Sequence, residues 1–429
     1  MVVLNASARL LLSAILCCST VFASPTSKSS QNVIQLGRYS GTPAGAAYFL
    51  TNEPSGNYVV VAALKPDGTM TYTTAISNKG NGAHGNSTGP DPLFAQSTVK
   101  TSAASNVLAA VNAGSNTVSL FSINPKNPTD IQQIGQPVPT LGDFPISVAF
   151  NSKGTQACVL NAGGLTNGVN CFKIDKSLGL VPIKDTFRAL NLSLANPPTG
   201  PANTLTQVLF NKDDSNLIVT VKGNAGPPVA PGFLAIWDVN ADGSLSKNFT
   251  QVAPPVGGVL PFGTSVIPSS NALLVADPAI GAEIVDLSEL SGGTSLSSSS
   301  KSSILNITKQ GANCWTAYSS KTGNFYLADP PNARISEVSV DKNLKATVVR
   351  QYQRPPLSGT FDEDVVTLNG KDFLYILQAN ATEVGVMRLD GAGKARDIGN
   401  FNVAKPAQAA GLTINSVNLV GMTTFATRK

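Results

Sequence analysis

A seven-bladed β-propeller is the fold this sequence predicts, from three observations: a unit repeated seven times, a composition of many turns and few charges, and a first unit lacking a strand that the end of the chain can supply. In each unit, between Tyr48 and Asn402, a short apolar strand ends in a polar residue, and a second alternating strand follows a small turn. The first strand ends at Asn52, Asn112, Asn161, Lys222, Asp277, Asp329 and Gln378, in steps of 60, 49, 61, 55, 52 and 49 residues. Such a period holds about four strands, the content of one blade. Charged residues are 13% of the chain, and the 38 Gly and 28 Pro suit short strands joined by tight turns. No linker interrupts the repeat, so 24–429 reads as one domain.

With strands named A to D from the centre outward, strand A is expected at Leu93 to Val99, Phe144 to Phe150, Thr204 to Phe210, Leu260 to Ile267, Cys314 to Ser319 and Asp364 to Leu368. The first unit starts directly at its second strand, Ala47-Tyr48-Phe49-Leu50. Its inner strand is expected from the C-terminus, where Leu419 to Phe425 alternates correctly. Such a closure leaves no open edge in the ring.

Residues 1–23 read as a signal peptide: Arg9 supplies the charge, Leu10 to Val21 the apolar stretch and Val21-Phe22-Ala23 the cleavage site, so the mature chain is expected to begin near Ser24. Cys17 and Cys18 leave with it. No other run reaches the ~20 apolar residues of a membrane span. The net charge of +5 has no Lys/Arg run, which argues against nucleic acid as a partner. Asn86, Asn191, Asn248, Asn306 and Asn380 each begin an Asn-x-Ser/Thr acceptor in or beside an expected loop or strand end, the pattern of a secreted or wall-associated glycoprotein. Cys158 and Cys171 flank the turn-rich stretch 161–168 symmetrically, so a cross-strand disulfide is expected, with Cys314 left over as a buried apolar residue or a reactive thiol. The Ser-rich stretch 288–303 reads as a loop in the fifth blade.

Three tempting motifs fail on context. Asp238-Val239-Asn240-Ala241-Asp242-Gly243 starts like a calcium loop, but its twelfth position is Phe249 where a bidentate Glu belongs. Gly80 to Gly85 fits a dinucleotide pattern and Gly85-Asn86-Ser87-Thr88-Gly89 a nucleophile elbow, yet both mechanisms need a following helix and Gly89-Pro90-Asp91-Pro92 follows instead. No metal site is expected.

His84, the single histidine, lies in the crossover from the first blade to the second. It is either a solvated loop residue or a general base at the channel mouth. Asp91 shares its loop, Asp143 precedes the third inner strand, and Asp362, Glu363 and Asp364 precede the seventh. Crowded carboxylates raise one another's pKa, which can leave one an acid and another a base; alternatively they accept hydrogen bonds from turn amides. The catalytic candidates are therefore His84, Asp91 and Asp364. Asn112, Asn161 and Asp329 are the candidate rim contacts, and Trp315 either walls a ligand or packs between blades.

The stretches Ala47 to Asn57, Val111 to Val118 and Phe144 to Asn151, with Gly370 to Tyr375 and Ala410 to Asn415, resemble the seven-bladed lactonase-type propellers. Within these, the chain is most similar to secreted fungal proteins related to 3-carboxymuconate cyclase. The resemblance covers nearly all of the mature chain. It implies lactone ring opening or closure without metal or other cofactor, by histidine, arginine and carboxylate groups facing the channel. Where such propellers often carry a basic pair before the inner strand, this chain has Phe144-Pro145-Ile146-Ser147 and Thr206-Gln207-Val208-Leu209, and no inner strand carries histidine. Two function classes follow: a hydrolase or cycloisomerase of a small lactone or unsaturated acid, and a non-catalytic glycoprotein that recognises a cell-surface or wall component. A monomer is expected in either case.

Overall fold

The structure is a computed structural model that describes residues 33–428, apart from 289 and 291–294. Residues 1–23, expected as a signal peptide, and the two cysteines among them lie outside the described residues. Seven sheets, each built on four antiparallel strands, follow one another in chain order as the blades of a propeller. In blade 1 the inner strand is Val420–Ala426, which pairs antiparallel with Gly45–Leu50; Tyr58–Leu64 and Met70–Ser77 follow outward, and Val33–Gln35 adds a fifth strand at the outer edge. The chain end thus closes the ring, as the missing strand predicts. The inner strands of blades 3 to 7 are Asp143–Phe150, Leu205–Phe210, Thr264–Ile267, Trp315–Ser319 and Thr360–Leu368.

Blade 2 departs from the sequence expectation. Its inner strand is Val99–Ser102, and residues 93–98, expected as strand, make no ladder. The reason is local backbone and distant bonding together. Asp91, Phe94 and Ser97 have φ of 66°, 52° and 65°, left-handed conformations that interrupt an extended run. Periodicity alone does not register that bend. Blade 5 shows a smaller version, with pairing beginning at Thr264 rather than near Leu260.

Strand B of each blade is almost wholly apolar and buried on both faces, because each blade is packed against two neighbours. The core is therefore distributed between blades. One cluster runs through blades 1 to 4, another joins blades 6, 7 and 1, and two smaller clusters fill the seams from blade 4 to 6.

The polar residues that end strand B are buried, and Asn161, Asp277 and Asp329 bind main chain of the crossover entering their own blade, while Gln378 binds a side chain of its crossover. Asp277 Oδ2 accepts from Val259 N and Leu260 N at 2.8 and 3.1 Å, and Asp329 accepts from Gly311 N and Ala312 N at 2.8 and 2.9 Å. Asn161 Nδ2 donates to Thr140 O at 3.3 Å, and Arg354 Nε donates to Gln378 Oε1 at 3.2 Å. In blade 1 the neighbouring Glu53 takes this part, accepting from Asn415 N and Asn418 Nδ2. Asn52 holds the outgoing crossover through Ala83, and Asn112 accepts from Asn57 Nδ2 at 3.1 Å.

Cys158 and Cys171 are register partners on strands B and C of blade 3 and form the expected disulfide; Cys314 is free and buried. In the Ser-rich stretch, Ser295–Leu296 pairs in parallel with Thr250–Val252 of blade 4, and Ser288 and Ser299 both donate to Asp286. Its described part is thus tied to two blades rather than being an open loop.

Deletion from Asn418 onward removes the inner strand of blade 1 and leaves Gly45–Leu50 unpaired on one side. Folded protein should not be recovered from that truncation, as read by soluble yield and far-UV circular dichroism. The C158A/C171A variant should fold but lose about 3 kcal/mol in chemical denaturation, the loop-closure value for a separation of 13 residues.

Candidate functional site

Residues 93–98 cross the propeller axis. Ala95 O accepts from Trp315 Nε1 at 2.9 Å, and the Gln96 side chain makes a two-way bond with the Thr316 main chain: Nε2 donates to Thr316 O at 2.8 Å and Oε1 accepts from Thr316 N at 3.1 Å. Gln96 O accepts from Ser147 Oγ at 2.8 Å, and Phe94 O accepts from Lys222 Nζ at 2.6 Å. A crossover between blades 1 and 2 is therefore bonded to blades 3, 4 and 6. Gly263 of blade 5 completes the fit, since a Cβ there would lie 2.0 Å from Gln96 Oε1. This plug divides the channel into an upper cavity on the crossover rim and a lower one beneath it.

The upper cavity has a volume of about 510 Å³ and apolar walls: Phe94, Leu260, Phe262, Trp315, Phe361 and several prolines. Trp315 sits edge-on between Phe262 and Phe361, with ring centroids 5.1 and 5.4 Å away, so the sequence candidate Trp315 does wall this cavity. Its charged groups are Asp91 and Lys222. Lys222 is the one basic member of the strand-end series. Its ammonium donates to Phe94 O, Leu205 O and Thr206 Oγ1 at 2.6, 2.9 and 2.7 Å, and lies 4.3 Å from the Phe262 ring centroid. Three acceptors match the three ammonium protons, which favours the charged form against the downward pull of burial on its pKa.

Asp91 is buried, and its Oδ1 has no hydrogen-bond partner. Loss of water pushes its carboxyl up to about 7, while Lys222 and the Ala95 and Phe94 amides favour the ionised form. Cys314, at the same cavity, has its thiol pushed well up by burial, with Asp91 adding to the rise. It is thus a protonated apolar wall residue rather than a thiolate.

The remaining candidates do not join Asp91. His84 is half-buried, with Nδ1 at 2.8 Å from Gly85 O and Nε2 at 2.9 Å from Gly89 O. Both ring nitrogens face its own loop, and the residue does not line the upper cavity. Asp364 is beneath the plug, where its Oδ2 accepts from Thr424 N and Thr424 Oγ1 at 2.8 Å each. It ties blade 7 to the closing strand. Asn112, Asn161 and Asp329 are fully buried and engaged as described above, so none presents its polar group at the rim. Asp143 is held by Asn116 and Thr166. The residues missing from the sequence list are Lys222, Phe262 and Phe361. The substitution of Lys for the usual Asn, Asp or Gln at a strand end was the available signal for the first; the aromatic pair carries none.

The five acceptor asparagines are all exposed. Asn86 and Asn380 stand on the cavity-bearing rim, and Asn380 contributes to the mouth itself.

No family model and no curated protein matches this chain. Among solved structures it is similar to the periplasmic gluconolactonase PpgL of Pseudomonas aeruginosa (TM-score 0.59, 13% identity, covering 89% of this chain and 100% of that one). It is also similar to candidate 6-phosphogluconolactonases of Bacteroides uniformis (TM-score 0.59, 15% identity, 89% and 99% covered) and Bacteroides fragilis (TM-score 0.57, 14% identity, 90% and 99% covered).

Replacing Lys222 by Met would strand the buried Phe94 and Leu205 carbonyls. A loss of about 1–3 kcal/mol is expected in equilibrium unfolding, the cost of a buried polar group left without its hydrogen bond. At these identities the shared architecture is a likeness of fold alone, the seven-bladed propeller.

Proposed function

We propose that this protein is a lactonase-type propeller that binds a compact, largely uncharged lactone in the upper cavity and opens its ring, with Asp91 as general base. The observation that carries this reading is the buried, unpartnered Asp91 Oδ1 of a residue lining an apolar cavity whose other charged lining residue is Lys222. The lactonase names of the fold neighbours agree with it. In the ionised state Asp91 accepts a proton from the water that attacks the acyl carbon and returns it to the ring oxygen as the acyl–oxygen bond breaks, and the apolar walls hold the ring while excluding other water. Lys222 keeps part of the Asp91 population ionised and thereby acts as a positioning residue. The kinship with 3-carboxymuconate cyclase belongs to this proposal too, but a tricarboxylate would meet a single cation whose three protons are already donated. An uncharged lactone is the better match.

A second reading, a secreted glycoprotein that recognises a surface without catalysis, is favoured by a separate observation. Leu141, Leu165, Val229, Val256 and Leu357 are exposed on the crossovers and B–C turns of the cavity-bearing rim. Secretion, glycosylation of the five asparagines and a monomeric state belong to both readings.

The test is turnover of a panel of aliphatic and aromatic lactones. D91N should lower kcat/KM by roughly a hundredfold, the lower range for loss of a general base, and H84Q should leave it unchanged. Because a raised carboxyl is protonated below its pKa and basic above it, kcat/KM should rise with pH through about 7. Tight binding of a lactone with no turnover would leave the recognition reading in place; D91N retaining full rate would remove Asp91 from the mechanism.

A further inference from the structure

Beneath the plug lies the second cavity, of about 280 Å³, walled by the inner strands of blades 2 to 7. Its chemistry is opposite to that of the upper one. Glu363 is only 3% exposed, yet both of its carboxyl oxygens lack a hydrogen-bond partner. Lys100 lines the same space, and among the described residues its ammonium has neither an ion pair nor a hydrogen bond. Ser265 Oγ and Thr316 Oγ1, 2.8 Å apart, offer a hydroxyl pair on another wall, and Tyr318 supplies an aromatic surface.

A buried carboxyl with both oxygens free costs stability until something bonds to it. Glu363 carries that cost on an inner strand, where the fold has every opportunity to place an apolar residue. An apolar ligand would leave it unsatisfied. A multiply charged anion would meet Glu363 and Asp364 with only Lys100 to balance them. A chelated metal ion lacks its ligand set, since no three His, Cys, Asp or Glu side chains converge among the described residues. A neutral ligand bearing several hydroxyls matches the polar groups and the apolar ones together: hydroxyls donate to the carboxyl, accept from the ammonium and exchange with the Ser265–Thr316 pair, while C–H faces meet Tyr318 and the apolar residues of the inner strands. We propose that the lower channel cavity is a binding site for a hydroxyl-rich ligand of monosaccharide size, with Glu363 and Lys100 as its polar anchors. The site is separate from the lactone site and does not depend on that reading.

The experiment is saturation-transfer NMR and calorimetric titration of the full protein with D-glucose, D-mannose and D-galactose, with glycerol as the small-polyol control. At least one hexose should bind saturably and more tightly than glycerol. E363M should weaken it by about tenfold or more, the scale of one hydrogen bond to a polar anchor, and K100M should weaken it as well. E363M removes an unsatisfied buried group, so it should unfold at a temperature no lower than the parent; if it fails to fold, E363Q and K100M carry the comparison. Absence of saturable hexose binding, or binding by the folded variants within about threefold of the parent, would overturn the proposal and leave the cavity as a water-filled channel end.

Discussion

The architecture depends on how each blade receives the chain from the one before. A crossover has no ladder partners for its amides and carbonyls, and buried backbone groups cannot be left unpaired. Here a side chain ending strand B supplies the partner, as Asp277 and Asp329 do with two amides each and Glu53 does at the closing seam. The polar residue is fully buried because adjoining blades enclose it. Fixing the crossover then fixes where the next inner strand starts. The strand-end repeat so visible in the sequence is therefore a device of assembly, repeated around the ring by residues of different chemistry.

Lys222 shows what happens when that position changes character. Its longer side chain serves its own blade through Leu205 O and Thr206 Oγ1, and also reaches the Phe94 carbonyl of a segment that crosses the axis. That reach is part of what keeps residues 93–98 out of a ladder. Two left-handed residues in the segment, Phe94 and Ser97, and Asp91 just before it carry local strain, which the bonds to blades 3, 4 and 6 offset. The result is one channel made into two cavities of unlike chemistry.

Burial then sorts the acidic residues more strongly than their spacing in sequence does. Asp362, Glu363 and Asp364 are consecutive, yet Asp364 bonds the closing strand, Glu363 faces the lower cavity unpartnered, and burial pushes Asp362 up to about 8. Asp91, far away in sequence, meets Lys222 above the plug. Each group's environment follows from which side of the plug it occupies.

The sequence by itself determined the blade number, the ring closure, most inner strands and the Cys158 to Cys171 pairing, because these rest on alternation, period and local register. Asp91 and Trp315 were also legible as residues near the channel mouth. Only the tertiary structure decided that residues 93–98 form a plug, since their bonding partners lie about 50 to 220 positions away and bond main-chain atoms, which carry no residue signature. The same cause separated His84 and Asp364 from Asp91: proximity in a closed ring is set by the path of a crossover through the axis, and alternation along a strand holds no information about that path.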